Sequence, residues 1–301
     1  METKNKTKLF LLFTFGISYA LAGAFYLLGG KYNDTGGVIM ATFYMFIPAI
    51  SAFLVQYVIF KDEMKSSLMI SFKINRWFFI AWLIPPVLSF LTIGISLLFP
   101  SVSYSPDMAG IFKKFESMLS VEQMEEIRHS IDNLPFHPIW MGLLQGLLAG
   151  ITINALAGFG EELGWRGLLL NRMNHAHFMK AALLIGVVWG VWHAPIILKG
   201  HNYPQYPVIG VFMMIAWCIL LSPLFLYITI KSKSVIAASI LHGSLNGTVG
   251  LAIITIDGGN ELLVGVTGLA GFIALTLITL CFFIYDKYIS KENIMLNKIN
   301  I

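Results

Sequence analysis

Long apolar runs, broken at intervals by short polar stretches, set the pattern of this chain. A hydrocarbon core about 30 Å thick needs roughly 20 apolar residues in helical form. Eight segments come near that length: 9–29, 37–60, 77–99, 139–160, 181–199, 207–230, 234–256 and 262–285. The runs at 37–60, 77–99, 207–230 and 262–285 are the cleanest. Those at 139–160 and 234–256 are interrupted by polar residues, which are costly in hydrocarbon and usually turn toward a bundle interior. The pattern predicts an all-α polytopic bundle of about eight spans, with residues 1–301 as a single integral membrane unit.

The first run has a second reading. Lys4, Lys6 and Lys8 followed by Ala22-Gly23-Ala24 have the look of a signal peptide. The apolar stretch between them exceeds the usual h-region of about 7–15 residues, so a retained helix is expected. The segment 100–138 is the longest connector and is net acidic, with Asp107, Glu116, Glu122, Glu125, Glu126 and Asp132. Within it Ile111, Phe112, Phe115, Met118 and Leu119 fall at helical spacing, predicting a short amphipathic helix at the membrane surface. A solvated connector is favoured there over a lid.

Composition agrees with a membrane protein. The chain is 57% hydrophobic and 12% charged, against about 45–50% and about 25% for soluble domains. Its net charge of +4 is spread along the sequence, which makes nucleic acid a poor partner. Cys218 and Cys281 lie inside apolar runs and are expected as buried thiols, without a disulfide framework or cysteine metal site. The basic residues also orient the chain. If the N-terminus is inside, the inner segments hold fifteen of the 20 Lys and Arg residues, leaving Lys31, Lys113, Lys114, Arg128 and Lys199 outside. The positive-inside rule therefore predicts a multi-pass cell-membrane protein with both termini cytoplasmic.

A few ionisable or strongly polar residues sit where a bilayer penalises them: Glu161 and Glu162, His193, and His242 with Asn246. They fall in three different spans. In Gly158-Phe159-Gly160-Glu161-Glu162-Leu163-Gly164-Trp165-Arg166-Gly167, the adjacent carboxylates point about 100° apart on a helix. Glu162 and Arg166, four apart, share a face and can satisfy each other. Glu161 has no local partner and is free to face a cavity, where the loss of water suits a proton-accepting role. A solvated charge cluster at a helix end is the alternative, and it accounts for Arg166 better than for Glu161. In Trp189-Gly190-Val191-Trp192-His193-Ala194-Pro195, the histidine stands alone in an apolar run, as a satisfied core histidine would. Pro195 frees backbone groups just beyond it. His242 and Asn246, four apart, share a helix face and also suit a role in holding two helices together. Each bland reading is tolerable singly. Together, a carboxylate, two imidazoles and a carboxamide make the parts of a hydrolytic site, which must activate water and stabilise an oxyanion.

These motifs resemble the CPBP family, the intramembrane proteases that include CAAX prenyl endopeptidases and bacteriocin-processing or Abi proteins. The family pattern of Glu-Glu-x-x-x-Arg, Phe-x-x-x-His and His-x-x-x-Asn is matched by Glu161-Glu162-Leu163-Gly164-Trp165-Arg166, Trp189-Gly190-Val191-Trp192-His193 and His242-Gly243-Ser244-Leu245-Asn246. Trp189 stands where the family usually has Phe, a swap of one aromatic ring for another. The resemblance places a catalytic core at about residues 140–250 and implies an endopeptidase acting on a membrane-associated peptide or protein. A bacteriocin, pheromone or leader peptide, or a CAAX-type C-terminus, would be the substrate. It further implies that Glu161 and His193 activate water and that Glu162 and Arg166 position the site. His242 and Asn246 would stabilise the oxyanion or help hold a metal. Glu161, His193 and His242 together offer a two-histidine, one-glutamate zinc set, but there is no His-Glu-x-x-His motif. Zinc ligation by Glu161 would leave Glu162 as base despite its pairing with Arg166. The balance tips toward Glu161 as base without a catalytic zinc. With Arg166 taken to lie at the inner interface, and His242 about eight residues into its span, the site is expected to open to the cytoplasm. Two other readings compete: a non-catalytic immunity or scaffold protein, which Glu161→Ala would leave functional, and a transporter, which the missing inverted repeat disfavours.

Overall fold

The computed structural model describes residues 2–32, 34–110, 112 and 121–301. Helix α1 spans Glu2–Leu27 and α2 spans Thr35–Phe53, the latter prolonged by a π-helical stretch at Leu54–Ile59. Then come α3 (Arg76–Ser96), β1 (Val102–Tyr104), α4 (Val121–Asp132), α5 (Pro138–Gly150) and α6 (Ile153–Glu162). Helix α6 runs on through a π-helical segment, Leu163–Leu169, to Arg172. The second half holds α7 (Phe178–Trp192), α8 (Ala194–Ile197), α9 (Pro207–Ser232), α10 (Val235–Thr248) and α11 (Leu251–Ile254). It closes with β2 (Ile256–Gly258) and α12 (Leu269–Ile284).

Local chemistry fixes these boundaries. Asp34, Asn75 and Ser234 cap α2, α3 and α10 by accepting from Gly37, Trp77 and Ile236 backbone N–H groups, satisfying donors that a helix start leaves free. Pro138 and Pro207 occupy first helical positions, where the missing N–H costs nothing.

Every apolar run found in the sequence becomes helical, and the chain is a multi-pass membrane protein. Six helices are long and apolar enough to cross a bilayer, and a seventh span exists if α5 and α6 count as one, bent by 52°. The eight expected spans differ from this in two places. The run at 139–160 breaks at Ile151–Thr152, because α10 presses against it there. A Cβ on Gly150 would sit 2.7 Å from the Ser244 Cα, so the backbones meet as only small residues allow. The run at 181–199 stops at Trp192, since Pro195 cannot continue the hydrogen-bond ladder. Its 15 residues reach about 22 Å at 1.5 Å each, less than a full crossing.

Large apolar side chains such as Phe43, Leu148, Leu156 and Phe212 are exposed on the outside of the bundle, the arrangement lipid contact requires. The interior gathers Tyr44, Trp165, Trp189, Trp192 and Phe225. Cys218 is buried as expected, but Cys281 is exposed on α12, because the apolar surroundings that suggested burial are lipid-facing. In the long connector, Ile111, Phe115, Met118 and Leu119 lie outside the described residues. Phe112 is buried, with the Arg128 guanidinium 4.3 Å from its ring.

The two ends of the bundle are tied separately. At one end, Lys6 pairs with Asp62 at 2.6 Å, Lys231 pairs with Glu292, the Asn75 side chain donates to the Ser232 carbonyl, and His175 N–H donates to the Ile299 carbonyl. At the other end, β1 and β2 pair antiparallel, Tyr203 donates to the Thr267 carbonyl at 2.7 Å, and Gln205 N–H donates to Glu261 at 2.6 Å. Tyr32 and His201 hydrogen-bond at this second end.

Candidate active site

The three polar motifs meet in the middle of the bundle. Helix α6 presents Glu161 and Glu162, its π-helical continuation presents Arg166, the C-terminus of α7 presents His193, and α10 presents His242 and Asn246. Gly158 makes this meeting possible. A Cβ there would fall 3.0 Å from both the His242 Cβ and the Ser239 carbonyl oxygen, so any larger residue would push α10 away and carry His242 off Glu162.

Glu162 is fully buried and doubly held. Arg166 Nη1 lies 3.1 Å from its Oε1 and 3.0 Å from its Oε2, and His242 Nδ1 donates to Oε1 at 2.8 Å. Arg166 is equally buried, sandwiched between the Trp189 and Phe225 rings at 4.3 Å from each centroid. This corrects the expectation of an interfacial arginine in a solvated cluster. The helix does not end at Arg166 but runs to Arg172, and two aromatic faces stand in for water around the guanidinium. Its Nε and Nη2 have no hydrogen-bond partner among the described residues.

Glu161 is also buried, at 2% exposure, but it is tied differently. The Trp189 indole N–H donates to its Oε2 at 2.8 Å, while its Oε1 stands 3.9 Å from His242 Nε2. Trp189 therefore does more than replace one ring with another: a phenylalanine has no N–H to offer this carboxylate. Sequence reasoning passed over that partner, although a tryptophan in an apolar run beside a glutamate motif was a usable signal, since buried indole N–H groups normally find acceptors.

His193 is buried and its Nδ1 lies 2.8 Å from the Trp189 carbonyl oxygen. A carbonyl only accepts, so Nδ1 carries the hydrogen and Nε2 keeps its lone pair, a tautomer assigned from the hydrogen-bond pattern. Asn246 is exposed at its position on α10 and lines the same cavity as Glu161, His193 and His242.

That cavity, about 280 Å³, is also lined by Tyr44, Trp192, Val249, Tyr32, His201, Asn202 and Thr267. The last four belong to the loops at the end of the bundle where Tyr32 bonds His201. The site therefore opens away from the end that carries most of the basic residues, opposite to the direction expected from the sequence. Burial holds His201 near a pKa of about 4 and, with the neighbouring Tyr26, pushes Tyr32 up to about 12. Their bond at the mouth thus joins two neutral groups at neutral pH.

The donor chemistry bears on a metal. Both imidazoles are anchored through Nδ1, leaving Nε2 outward, as in many metal-ligating histidines. Yet among the described residues no group of three His, Cys, Asp or Glu side chains is disposed to hold one ion. Glu161 is committed to Trp189 and Glu162 to Arg166 and His242. The two-histidine, one-glutamate set is not assembled as placed.

In class, this is a helical multi-pass membrane protein with an ionic and imidazole cluster buried beside an open cavity. Residues 136–248 match the family model described as type II CAAX prenyl endopeptidase Rce1-like, the same stretch that carries the three motifs. The chain is similar to a protein of Methanococcus maripaludis named CAAX prenyl protease 2, with 33% identity over 109 residues. The match covers 34% of this chain and 40% of that protein's length.

Proposed function

We propose that this protein is an intramembrane endopeptidase that cleaves a membrane-associated peptide or protein, with Glu161 as general base. The observation that carries the reading is the placement of Glu161. It is a buried carboxylate at a cavity wall, fixed through one oxygen by Trp189, with the other oxygen 3.9 Å from His242. That gap is too long for a direct hydrogen bond and short enough for one water to bond both groups.

The chemistry follows from the groups present. Glu161, helped by the Nε2 lone pair of His193, takes a proton from water as the water oxygen bonds to the peptide carbonyl carbon. The carbonyl oxygen becomes an oxyanion, and the Asn246 carboxamide and a protonated His242 Nε2 donate to it. When the intermediate collapses, the C–N bond breaks and Glu161 returns its proton to the leaving nitrogen, giving a carboxylic acid, which keeps the second water proton, and an amine. Glu162 and Arg166 take no proton. They hold the His242 ring in place, and Arg166 balances the charge of Glu162.

The test is a rescue experiment. Wild type, Glu161→Ala and His242→Ala are expressed at matched membrane levels in a deletion strain, and secreted and membrane peptides are compared by mass spectrometry. A processed peptide that returns with wild type and with neither variant supports the peptidase. Variants indistinguishable from wild type would sink it in favour of a non-catalytic scaffold or immunity role.

A further inference from the structure

The cavity lining and the charge distribution, taken together, say something that neither says alone. Among the loop residues that line the cavity are Tyr32, His201, Asn202 and Thr267. They lie in the connectors that follow α1, α8 and β2, and these connectors are joined to one another by Tyr32–His201 and Tyr203–Thr267. The other end of the bundle carries Lys61, Lys65, Lys73, Arg76, Arg172, Lys231, Lys233, Lys287, Lys291 and Lys298 in or beside its connectors. The cavity end has Lys31, Lys199 and Arg128 with Asp34, Asp107, Glu125, Glu126 and Glu261. Moving Arg166 from the inner count to the buried interior does not alter this asymmetry. Short-loop lysines and arginines mark the cytoplasmic side, so the basic end faces the cytoplasm and the cavity faces away from it.

We infer that the site is served from the extracytoplasmic side, so that its substrate is a peptide segment already carried across the membrane or lying in the outer leaflet. This rests on the peptidase reading for the word substrate, but not for the sidedness itself. It gives that reading a definite class: the membrane-held leader or remnant of an exported peptide. Toward the basic end, the residues that follow Glu161 on its helix, Arg166, Leu168, Leu169 and Leu170, are buried, and none of them lines the cavity. The reactive carbonyl must approach through the mouth spanned by Tyr32 and His201.

Single cysteines read this directly in intact cells. In a Cys281→Ser background, with Cys218 left buried, the full chain carries Asn202→Cys at the mouth, Val249→Cys in the cavity, or Lys65→Cys at the basic end. A small membrane-impermeant thiosulfonate is added before or after permeabilisation, and labelling is normalised to that of the denatured chain. The expected result is full labelling of Asn202→Cys and Val249→Cys in intact cells and loss of the Lys65→Cys signal until cells are opened. The reverse pattern overturns the inference. Labelling at 202 without labelling at 249 overturns it too, since the cavity would not be reached from that side. The readout needs no turnover and is repeated with Glu161→Gln. A failed topology therefore leaves the peptidase reading standing, and a failed rescue experiment leaves the topology standing.

Discussion

Glu161 and Glu162 are consecutive residues, both buried, at the end of the regular part of α6. Glu162 has three charged or polar contacts, two from Arg166 Nη1 and one from His242. Glu161 has one indole hydrogen bond and an oxygen left toward the cavity. The one-residue step, about 100° around the helix, separates a carboxylate held in an ion pair from one that lines the cavity. The difference shows how a membrane interior can keep two carboxylates: one is neutralised by a cation, and the other lies at a cavity wall with an indole N–H donating to it.

The sharpest way to break this comparison is to remove each charge in turn. Glu161→Gln keeps shape and the possibility of a Trp189 bond but loses the base, so cleavage per folded molecule should fall by about 10²–10⁴-fold with little change in thermal unfolding in detergent. Glu162→Gln leaves Arg166 buried without its counter-charge, and breaking a buried pair from one side costs about 3–5 kcal/mol. Its deficit should appear first as a lowered unfolding temperature. If Glu162→Gln folded normally while Glu161→Gln unfolded, the assignment of roles would be inverted.

Arg166 offers a finer cut. Arg166→Lys keeps the charge but not the planar group between the Trp189 and Phe225 rings. The expected loss is about 2 kcal/mol, the size of a desolvated cation–π contact. The double variant Glu162→Gln with Arg166→Met should be more stable than Glu162→Gln alone, since it removes the stranded charge. A double variant worse than either single change would mean that the pair is valued for something other than mutual neutralisation.

Trp189→Phe tests the other carboxylate. The ring packing survives and only the N–H is lost. A hydrogen bond to a charged group is worth about 1.5–3 kcal/mol, so kcat should drop by roughly 10- to 100-fold with KM nearly unchanged. A purely structural tryptophan would instead show a stability loss with kcat per folded molecule intact.

The sequence made some of this legible and hid the rest for identifiable reasons. The helices were readable because hydropathy and proline positions act locally. The pairing of Glu162 with Arg166 was readable because i,i+4 geometry is local too. The break at Ile151–Thr152 was not, since neither residue is a helix breaker and the cause is the approach of α10 at Gly150. The burial of Arg166 was hidden because its stabilising rings, Trp189 and Phe225, come from other helices. The direction of the cavity was misjudged for a related reason: counting residues from a span end assumed that α6 stopped near Arg166, and the π-helical continuation carries it past.

The smallest expected effect concerns metal, and it bears on the same pair of carboxylates. A zinc set would need Glu161 as ligand beside His193 and His242, which would pull it from Trp189 and leave Glu162 as the base. Glu162 accepts on Oε1 from both Arg166 and His242, and its Oε2 lies 3.0 Å from the same guanidinium nitrogen, so its charge is committed to the buried pair. The two demands conflict, and the arrangement in which Glu161 is the base satisfies both carboxylates at once. Treating the purified protein with 1,10-phenanthroline should therefore leave cleavage unchanged, and metal analysis should show far less than one zinc per chain. Loss of cleavage that added zinc restores would break the comparison at its root, because Glu161 would then be a ligand and the division of labour between the two residues would have to be redrawn.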